Sequence, residues 1–249
     1  MEENKKKGRR PAFNGDGILL VDKPAEWTSF DVVNFVRARF NIPKAGHCGT
    51  LDPAATGLLV LVIGKFTRFS QKLSGDDKTY EATLLLGTET DSQDMDGEVT
   101  ATNDWTGLTE EAVRQAIMGF TGDILQIPPM VSAVKVDGKR LYELARKGQE
   151  VSREARPIRI DGIDITRMEL PQVDFTVKCS KGTYIRTLCA DIGAKLGCGG
   201  TLFGLRRTRS GMFNLADAVT VDTLKTWENP EFAAHLNVLL SKQIAAFGG

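Results

Sequence analysis

The chain has 249 residues, 41% of them hydrophobic and 26% charged, and its formal net charge at pH 7 is zero. These values are typical of a soluble globular protein of one or two domains, and they exclude a chain that binds nucleic acid through an overall positive charge. Positive charge is concentrated locally instead: residues 132–160 carry eight Lys or Arg against four Asp or Glu, with further basic runs at 5–10 and 206–209. Such runs are usually solvated surface, but they can bind phosphates.

The four cysteines, at positions 48, 179, 189 and 198, lack the C-x-x-C spacing of a zinc knuckle and the pattern of a disulfide framework. This distribution predicts reduced thiols in a cytosolic chain. The basic amino terminus is not followed by an apolar stretch, so residues 1–14 are interpreted as a disordered basic tail rather than a secretory signal. No apolar run approaches the length of a membrane span, and we expect a cytoplasmic protein.

The first predicted element is a strand at Gly17–Asp22, and it is predicted to stop at Lys23 and Pro24. A helix is predicted next, because Thr28 and Asp31 have the Thr-x-x-acid spacing of a capping box. Its apolar face is predicted to consist of Phe30, Val33, Val36 and Phe40.

The segment Lys44–Gly57 has no hydrophobic periodicity, yet it contains a His, a Cys, a carboxylate and three glycines. It precedes Leu58–Ile63, an apolar run of strand length. Pro53 restricts the backbone directly after Asp52. We therefore expect Asp52 on a stiff loop beside a buried strand, either as an ordinary turn residue or as a catalytic carboxylate.

In the middle of the chain, a helix is predicted at Phe66–Leu73 and a strand at Thr79–Leu86. The acidic stretch of residues 90–98 is predicted to be a hairpin loop, either structural or in contact with substrate. A calcium loop is rejected, because alignment on Asp94, Asp96 and Gly97 would place Ser and Asn at the first and twelfth ligand positions.

A helix is predicted at Leu108–Phe120, and a basic excursion from the core at residues 123–156. Strands are predicted at Pro157–Met168 and Val173–Cys179, and a short strand through Tyr184 and Arg186 would place both side chains on one face. The remaining elements are a helix at Leu188–Leu196, a strand at Thr201–Thr208 and short helices from Val221. Because strands and helices do not alternate strictly, we expect an α+β fold with a mixed, largely antiparallel sheet flanked by helices and loops.

Several motifs occur in one order along the chain: GILLVDKP at Gly17–Pro24, GHCGTLDPAATG at Gly46–Gly57, KTY at Lys78–Tyr80, TDSQDMDG at Thr90–Gly97, QIPPM at Gln126–Met130, REARP at Arg153–Pro157, CSKGTYIRT at Cys179–Thr187 and LRR at Leu205–Arg207. Together they closely resemble the bacterial TruB-type tRNA pseudouridine synthases, which modify uridine 55 in the T-loop. Cys48 departs from the small Thr or Val that is usual in the family, and a buried Cys is similar in size.

The resemblance implies a pseudouridine synthase catalytic domain at residues 15–220, in which residues 123–156 are a thumb-like insertion that clamps the RNA. Many members also carry a carboxy-terminal RNA-binding PUA domain. Only 32 residues follow Asp217, so we expect residues 221–249 to form a short helical segment and no complete PUA domain.

The resemblance also implies the roles of individual residues. Asp52 would be the nucleophile, Arg186 the ion-pair partner that keeps it charged, and Tyr80 the ring that stacks on uracil and helps a proton leave. His47 would fill the space left by the flipped base. The further substrate contacts implied are Lys23, Asp94, Tyr184 and Leu205. The implied phosphate contacts are Lys135, Lys139, Arg140 and Arg153.

The expected partner is the T-stem-loop of tRNA, bound by a monomer without a metal or any other cofactor. His47 and Cys48 as metal ligands find little support, because the chain contains only one other His, His235. Two alternatives stay open: a guide-RNA-dependent synthase, and a non-catalytic module that binds or folds RNA. The attack of Asp52 on C6 or on C1′, and the loss of a C2′ proton to give a glycal, are likewise undecided.

Overall fold

The structure is a computed structural model that describes residues 12–132, 135–136, 139–140, 149 and 151–236. The chain divides into two compact units. Unit 1 comprises Met1–Gly75 together with Met212–Gly249, and unit 2 comprises Asp76–Gly211. Within the described part of the chain, no helix has the length and apolar character needed to cross a membrane.

Unit 1 begins with strands and short helices in close succession. They are β1 (Gly17–Lys23), α1 (Ser29–Phe40), β2 (Ala45–Cys48), β3 (Thr56–Ile63), a 3-10 helix (Gly64–Phe69) and α2 (Ser70–Ser74). The predicted capping box of α1 is confirmed: Asp31 N–H donates to Thr28 Oγ1 at 3.0 Å, and Thr28 N–H donates to Asp31 Oδ2 at 2.9 Å.

Unit 2 contains most of the strands. They are β4 (Lys78–Leu86), β5 (Thr88–Thr90), β6 (Val99–Thr102), β7 (Gly122–Gln126), β8 (Lys135–Val136), β9 (Lys139–Arg140), β10 (Arg156–Glu169), β11 (Gln172–Cys179) and β12 (Gly200–Ser210). Its helices are α3 (Glu110–Met118) and α4 (Ile185–Leu196). The chain then returns to unit 1 through β13 (Phe213–Asn214), a 3-10 helix (Leu215–Asp217), β14 (Val219–Thr220) and α5 (Val221–Thr226), and residues 229–236 are helical.

Both units are built on antiparallel pairing. In unit 1, β3 pairs antiparallel with β1 and with β2, and β14 joins the other edge of β1 in parallel. In unit 2 the strand order is β12-β4-β11-β10-β7, with every neighbouring pair antiparallel. The helix α4 packs on β12 and β4. The α+β prediction with a mixed, largely antiparallel sheet is therefore confirmed.

The strands β1 and β3 are buried on both faces, which explains their continuous apolar sequences. One face packs against α1 and the carboxy-terminal helices, and it presents Leu19, Val21, Leu59, Leu61 and Ile63. The opposite face packs against Cys48, Leu73 and Phe213, and it presents Ile18, Leu20, Leu58, Val60 and Val62.

Three expected boundaries differ from the structure. Phe13, expected in the disordered tail, packs edge-to-face on Phe232 with ring centroids 5.0 Å apart. Val221, Leu224, Phe232 and Leu236 belong to the core of unit 1, so the fold has no break at residue 220. Residues 122–126 form the sheet strand β7, so the excursion begins only after Gln126. Residues 1–11 and 237–249 lie outside the described part.

Candidate active site

The loop that carries Asp52 joins β2 to β3, and the residue before Asp52 is fixed by a buried hydroxyl. Ser29 Oγ donates to the carbonyl oxygen of Leu51 at 3.1 Å and accepts from the Leu51 N–H at 2.8 Å. Ser29 is the first residue of α1 and only 2% exposed. One side chain therefore satisfies both backbone groups of Leu51. This role of Ser29 could not be predicted from sequence, because a polar side chain at a helix start is usually solvated.

The residue after Asp52 is fixed as well. The carbonyl oxygen of Pro53 accepts from Glu26 N–H at 2.9 Å and from Lys23 Nζ at 3.0 Å. The ammonium group of Lys23 also donates to Pro24 O at 2.8 Å and to Trp27 O at 2.6 Å, and Lys23 is fully buried. Lys23 therefore holds the loop through its contact with Pro53. Its expected contact with substrate stays a prediction.

His47 lies on β2 opposite Leu61 of β3 and is half-buried. The segment Lys44–Gly57 is therefore not wholly loop, since its first part is a strand. Cys48, next in the strand, points to the buried face and belongs to the core of unit 1, so the two side chains lie on opposite sides of the strand. The described residues contain no group of three or more His, Cys, Asp or Glu that could hold a metal ion.

In unit 2, Arg186 lies in the first turn of α4, so the predicted strand through Tyr184 and Arg186 is wrong. Arg186 is 4% exposed. Its Nη1 lies 3.4 Å from Asp94 Oδ2, and its Nη2 donates to Val131 O at 2.6 Å. Two different nitrogens of the planar group thus contact two different segments of unit 2, which fixes the orientation of the side chain.

Asp94 lies in the predicted acidic hairpin loop, between β5 and β6. Its Oδ1 accepts from Ser92 Oγ at 2.5 Å and from Asp96 N–H at 3.2 Å. The neighbouring Gln93 has a left-handed backbone with φ of 66°, and its Oε1 accepts from Thr187 Oγ1 at 2.7 Å. The loop is therefore attached to the start of α4 at two adjacent points. Both alternatives for this acidic stretch, a structural loop and a loop in contact with substrate, stay open.

Tyr184 is the N-cap residue of α4 and makes no side-chain cap hydrogen bond. Its backbone is instead held by Gln126, whose Oε1 accepts from Tyr184 N–H at 2.8 Å and whose Nε2 donates to Tyr184 O at 3.0 Å. The guanidinium carbon of Arg186 lies 6.0 Å from the centroid of the Tyr184 ring. Gln126 was part of the QIPPM motif, but the sequence assigned no role to it.

Tyr80 and Leu205 lie on paired strands of unit 2. Tyr80 of β4 is opposite Val177 of β11 and Arg207 of β12, whereas Leu205 of β12 is opposite Ala82. Tyr80 is buried and Leu205 is partly exposed.

Near Tyr80, unit 2 also buries two basic side chains, Lys78 and Arg207, which belong to the KTY and LRR motifs but had no predicted role. Burial first, and then the charge of Arg207, lowers the pKa of Lys78. Burial also raises the pKa of the neighbouring Cys179 thiol to about 11, so this thiol is uncharged at neutral pH. All four cysteines are buried, and none of them forms a disulfide.

The expected phosphate contacts lie mostly at the edge of the described part. Lys135 and Arg140 are register partners in the hairpin of β8 and β9, in which Val136 pairs with Lys139. Their side chains lie outside the described residues. Arg153 donates from Nη1 to Pro128 O at 3.3 Å, which connects the two ends of the excursion.

Comparison with known proteins places the chain in a family. The model of the TruB family pseudouridylate synthase N-terminal domain matches residues 37–185, and that of the tRNA pseudouridylate synthase B C-terminal domain matches residues 186–242. The chain therefore belongs to the TruB family of pseudouridylate synthases, and the resemblance drawn from its motifs is confirmed.

Named relatives agree with this placement. The "tRNA pseudouridine synthase B" of Opitutus terrae is 53% identical over 91% of this chain and 94% of its own length. That of Aromatoleum aromaticum is 51% identical over 84% of this chain and 68% of its own. Among solved structures, one titled "Crystal Structure of a Cbf5-Nop10-Gar1 Complex" matches 83% of this chain and 52% of its own with a TM-score of 0.66 and 33% identity. The chain thus spans about half of that protein.

Proposed function

We propose that this chain is a stand-alone enzyme that isomerises uridine 55 in the T-loop of tRNA to pseudouridine. The observation that carries the proposal is its identity of 53% and 51%, over most of its length, to relatives named tRNA pseudouridine synthase B. The tethered loop of Asp52 supports it, because a carboxylate that must react at one atom of a bound nucleotide benefits from a fixed position.

The proposed reaction has no net change in composition. The bond from C1′ to N1 of the uracil breaks, the base rotates, a bond from C1′ to C5 forms, and the proton of C5 is replaced by one on N1. Asp52 is the proposed nucleophile, since a covalent intermediate divides one difficult step into easier ones. Attack at C6, attack at C1′ and formation of a glycal remain distinct routes within this proposal.

Other side chains have proposed roles in the same reaction. Tyr80 stacks on the detached uracil, a contact worth roughly 1–3 kcal/mol for a base on an aromatic ring, and assists the loss of the C5 proton. Arg186 keeps the Asp52 carboxylate charged. Asp94 and the carbonyl group of Val131 support this role, because they already fix the direction of the guanidinium group.

Uridine 55 is stacked inside folded tRNA, so the base must leave its stack before it reacts. His47 is proposed to occupy the space it leaves. Lys135, Lys139, Arg140 and Arg153 are the proposed phosphate contacts, which suit recognition of an RNA loop by its shape. Leu205 and Tyr184 are proposed to line the site of the base.

The decisive experiment incubates the purified chain with an unmodified tRNA transcript and maps pseudouridine at each position. We expect modification at position 55 by the wild type and none by Asp52→Asn, with tRNA binding retained. Asp222→Asn is a matched control, because this side chain in unit 1 is 87% exposed. Product at the wild-type rate from Asp52→Asn would refute the nucleophile. Activity only after a guide RNA is added, or binding without any product, would favour one of the two alternatives.

A further inference from the structure

Gln126 is a buried amide that pairs with the backbone of a residue 58 positions away. It is the last residue of β7 and only 2% exposed. Its Oε1 faces the N–H of Tyr184 and its Nε2 faces the carbonyl oxygen of the same residue. The orientation of the amide is fixed by these contacts, since an N–H requires an acceptor and a carbonyl requires a donor. The side chain thus makes the two hydrogen bonds that a neighbouring strand residue would make.

This pair stands at the beginning of α4, where the backbone needs a partner. The first N–H groups of a helix have no acceptor within the helix, and Tyr184 supplies no side-chain cap. The carbonyl oxygen of Tyr184 accepts the first hydrogen bond of the helix, from Leu188 N–H at 3.0 Å, in addition to that from Gln126. Gln126 therefore fixes both the residue at which α4 begins and its direction of entry.

The start of α4 matters because Arg186 follows two residues later. The amino-terminal end of a helix carries partial positive charge, so a guanidinium group is disfavoured in the first turn. The side chain is held there by contacts to Asp94 and Val131. Both contacts require the Cα of Arg186 at one position, and a helix that began one residue later or entered at another angle would lose them.

We propose that Gln126 is a positioning residue for pseudouridine formation, which acts through the backbone of Tyr184 on the orientation of Arg186. The inference rests on the proposed function, because it needs Arg186 to act in the reaction. Gln126 itself is only 2% exposed, so we expect no contact between its side chain and the RNA. Its loss is expected to slow the chemical step and to leave the affinity for tRNA nearly unchanged.

Two variants test the proposal. Gln126→Met has a similar volume and no hydrogen bonds, and we expect its single-turnover rate to fall roughly 10- to 100-fold, as displacements of about 1 Å do in active sites. Its Kd for tRNA is expected to stay within about twofold of wild type. The matched control is Gln115→Met, because Gln115 is exposed on α3 and its Nε2 donates to Glu111 Oε1, one turn away on the same helix, at 2.8 Å. A rate within twofold of wild type, or a loss of binding equal to the loss of rate, would overturn the proposal.

Gln126→Glu supplies a readout that a general loss of packing does not give. The ionised carboxylate presents only acceptors and repels the Tyr184 carbonyl, whereas the protonated acid restores one donor and one acceptor. Burial raises the pKa of such a carboxyl, so the rate of this variant relative to wild type is expected to increase as the pH falls from about 8 to about 6. A constant ratio would overturn the proposal, even if Gln126→Met did not fold.

The wild-type reaction distinguishes a failure of the proposed function from a failure of the proposed role of Gln126. If the wild type forms no pseudouridine in tRNA, both the proposed function and the proposed role of Gln126 are refuted. If the wild type is active and both Gln126 variants match it, only the role of Gln126 is refuted.

Discussion

Replacing Ser29 by Ala removes a single oxygen atom and leaves two buried backbone groups of Leu51 without their hydroxyl partner. These hydrogen bonds are 2.8 and 3.1 Å long, and both residues are buried. Leaving a buried donor or acceptor unsatisfied costs about 1–3 kcal/mol each, so the two groups together correspond to about 2–6 kcal/mol. Because the loop can relax in part, we expect Ser29→Ala to lower the free energy of unfolding by about 2–4 kcal/mol.

The assay combines denaturant unfolding with hydrogen exchange and single-turnover kinetics. The Leu51 amide is expected to exchange slowly in the wild type and much faster in the variant, because its acceptor has been removed. The rate of pseudouridine formation is expected to fall, since Asp52 is the next residue. Ser74→Ala is the matched control in the same unit, because Ser74 Oγ donates to Ser70 O at 2.7 Å, within the short helix α2.

A free energy of unfolding for Ser29→Ala within about 0.5 kcal/mol of the wild-type value would refute this prediction, because ordinary surface substitutions change it by about ±0.5 kcal/mol. If Ser29→Ala exchanges the Leu51 amide rapidly but keeps the wild-type rate of pseudouridine formation, only the proposal that the Ser29 hydroxyl positions Asp52 is refuted. In that case the bonds to the Pro53 carbonyl would be sufficient to position the loop.

The remaining predictions concern charged groups. Arg186→Lys is expected to reduce turnover by at least about 10²-fold with tRNA binding retained, because one ammonium cannot make both guanidinium contacts. The control is Arg114→Lys, on the exposed face of α3. Unchanged turnover of Arg186→Lys would contradict the proposed role of Arg186. Burial lowers the pKa of His235 below its usual 6.5, so the folded chain binds fewer protons than the unfolded chain. The free energy of unfolding is therefore expected to fall as the pH decreases through about 6.5, and a slope that persists in His235→Gln would contradict this. Replacement of Lys135, Lys139 and Arg140 by Ala is expected to weaken tRNA binding. It is also expected to reduce the slope of log K against log salt concentration by up to about 0.7 per lost phosphate contact. An unchanged slope would place the phosphate contacts elsewhere.

Local patterns were sufficient for much of the fold. The capping box of Thr28 and Asp31, the buried strand after Gly57 and the acidic hairpin around Asp94 were all predicted from neighbouring residues, and each is present. These features depend on short-range hydrogen bonds and on the alternation of side chains, which the sequence displays directly.

The error on α1 has a geometric cause. Phe30 was placed on the apolar face, but it is 62% exposed, whereas Val32 is buried. At about 100° per residue, Ser29 lies at the centre of the face that Val33, Val36 and Phe40 define, and Phe30 lies about 100° from it. A pattern built on hydrophobicity excluded Ser29, because nothing local reveals that Leu51 satisfies its hydroxyl group.

The error at Tyr184 has a related cause. Alternating aromatic, aliphatic and basic residues suggested a strand, while α4 begins directly after Tyr184 without a capping side chain. The partner that replaces the cap is Gln126, 58 residues away in sequence. Local propensity is a weak prior when a tertiary contact satisfies the helix terminus.

Ser29 and Gln126 therefore act in the same way, by hydrogen bonds to both the N–H and the carbonyl group of one residue. Each is a neutral side chain that donates to and accepts from one backbone residue. The backbone residues that they bind, Leu51 and Tyr184, lie one and two positions before the proposed catalytic groups Asp52 and Arg186. A charged group in either position would carry a large desolvation cost. The buried ammonium of Lys23 shows what offsets that cost, since three carbonyl oxygens surround it. All these contacts lie within the chain itself, and a backbone that is held by its own protein need not be reorganised by the reaction.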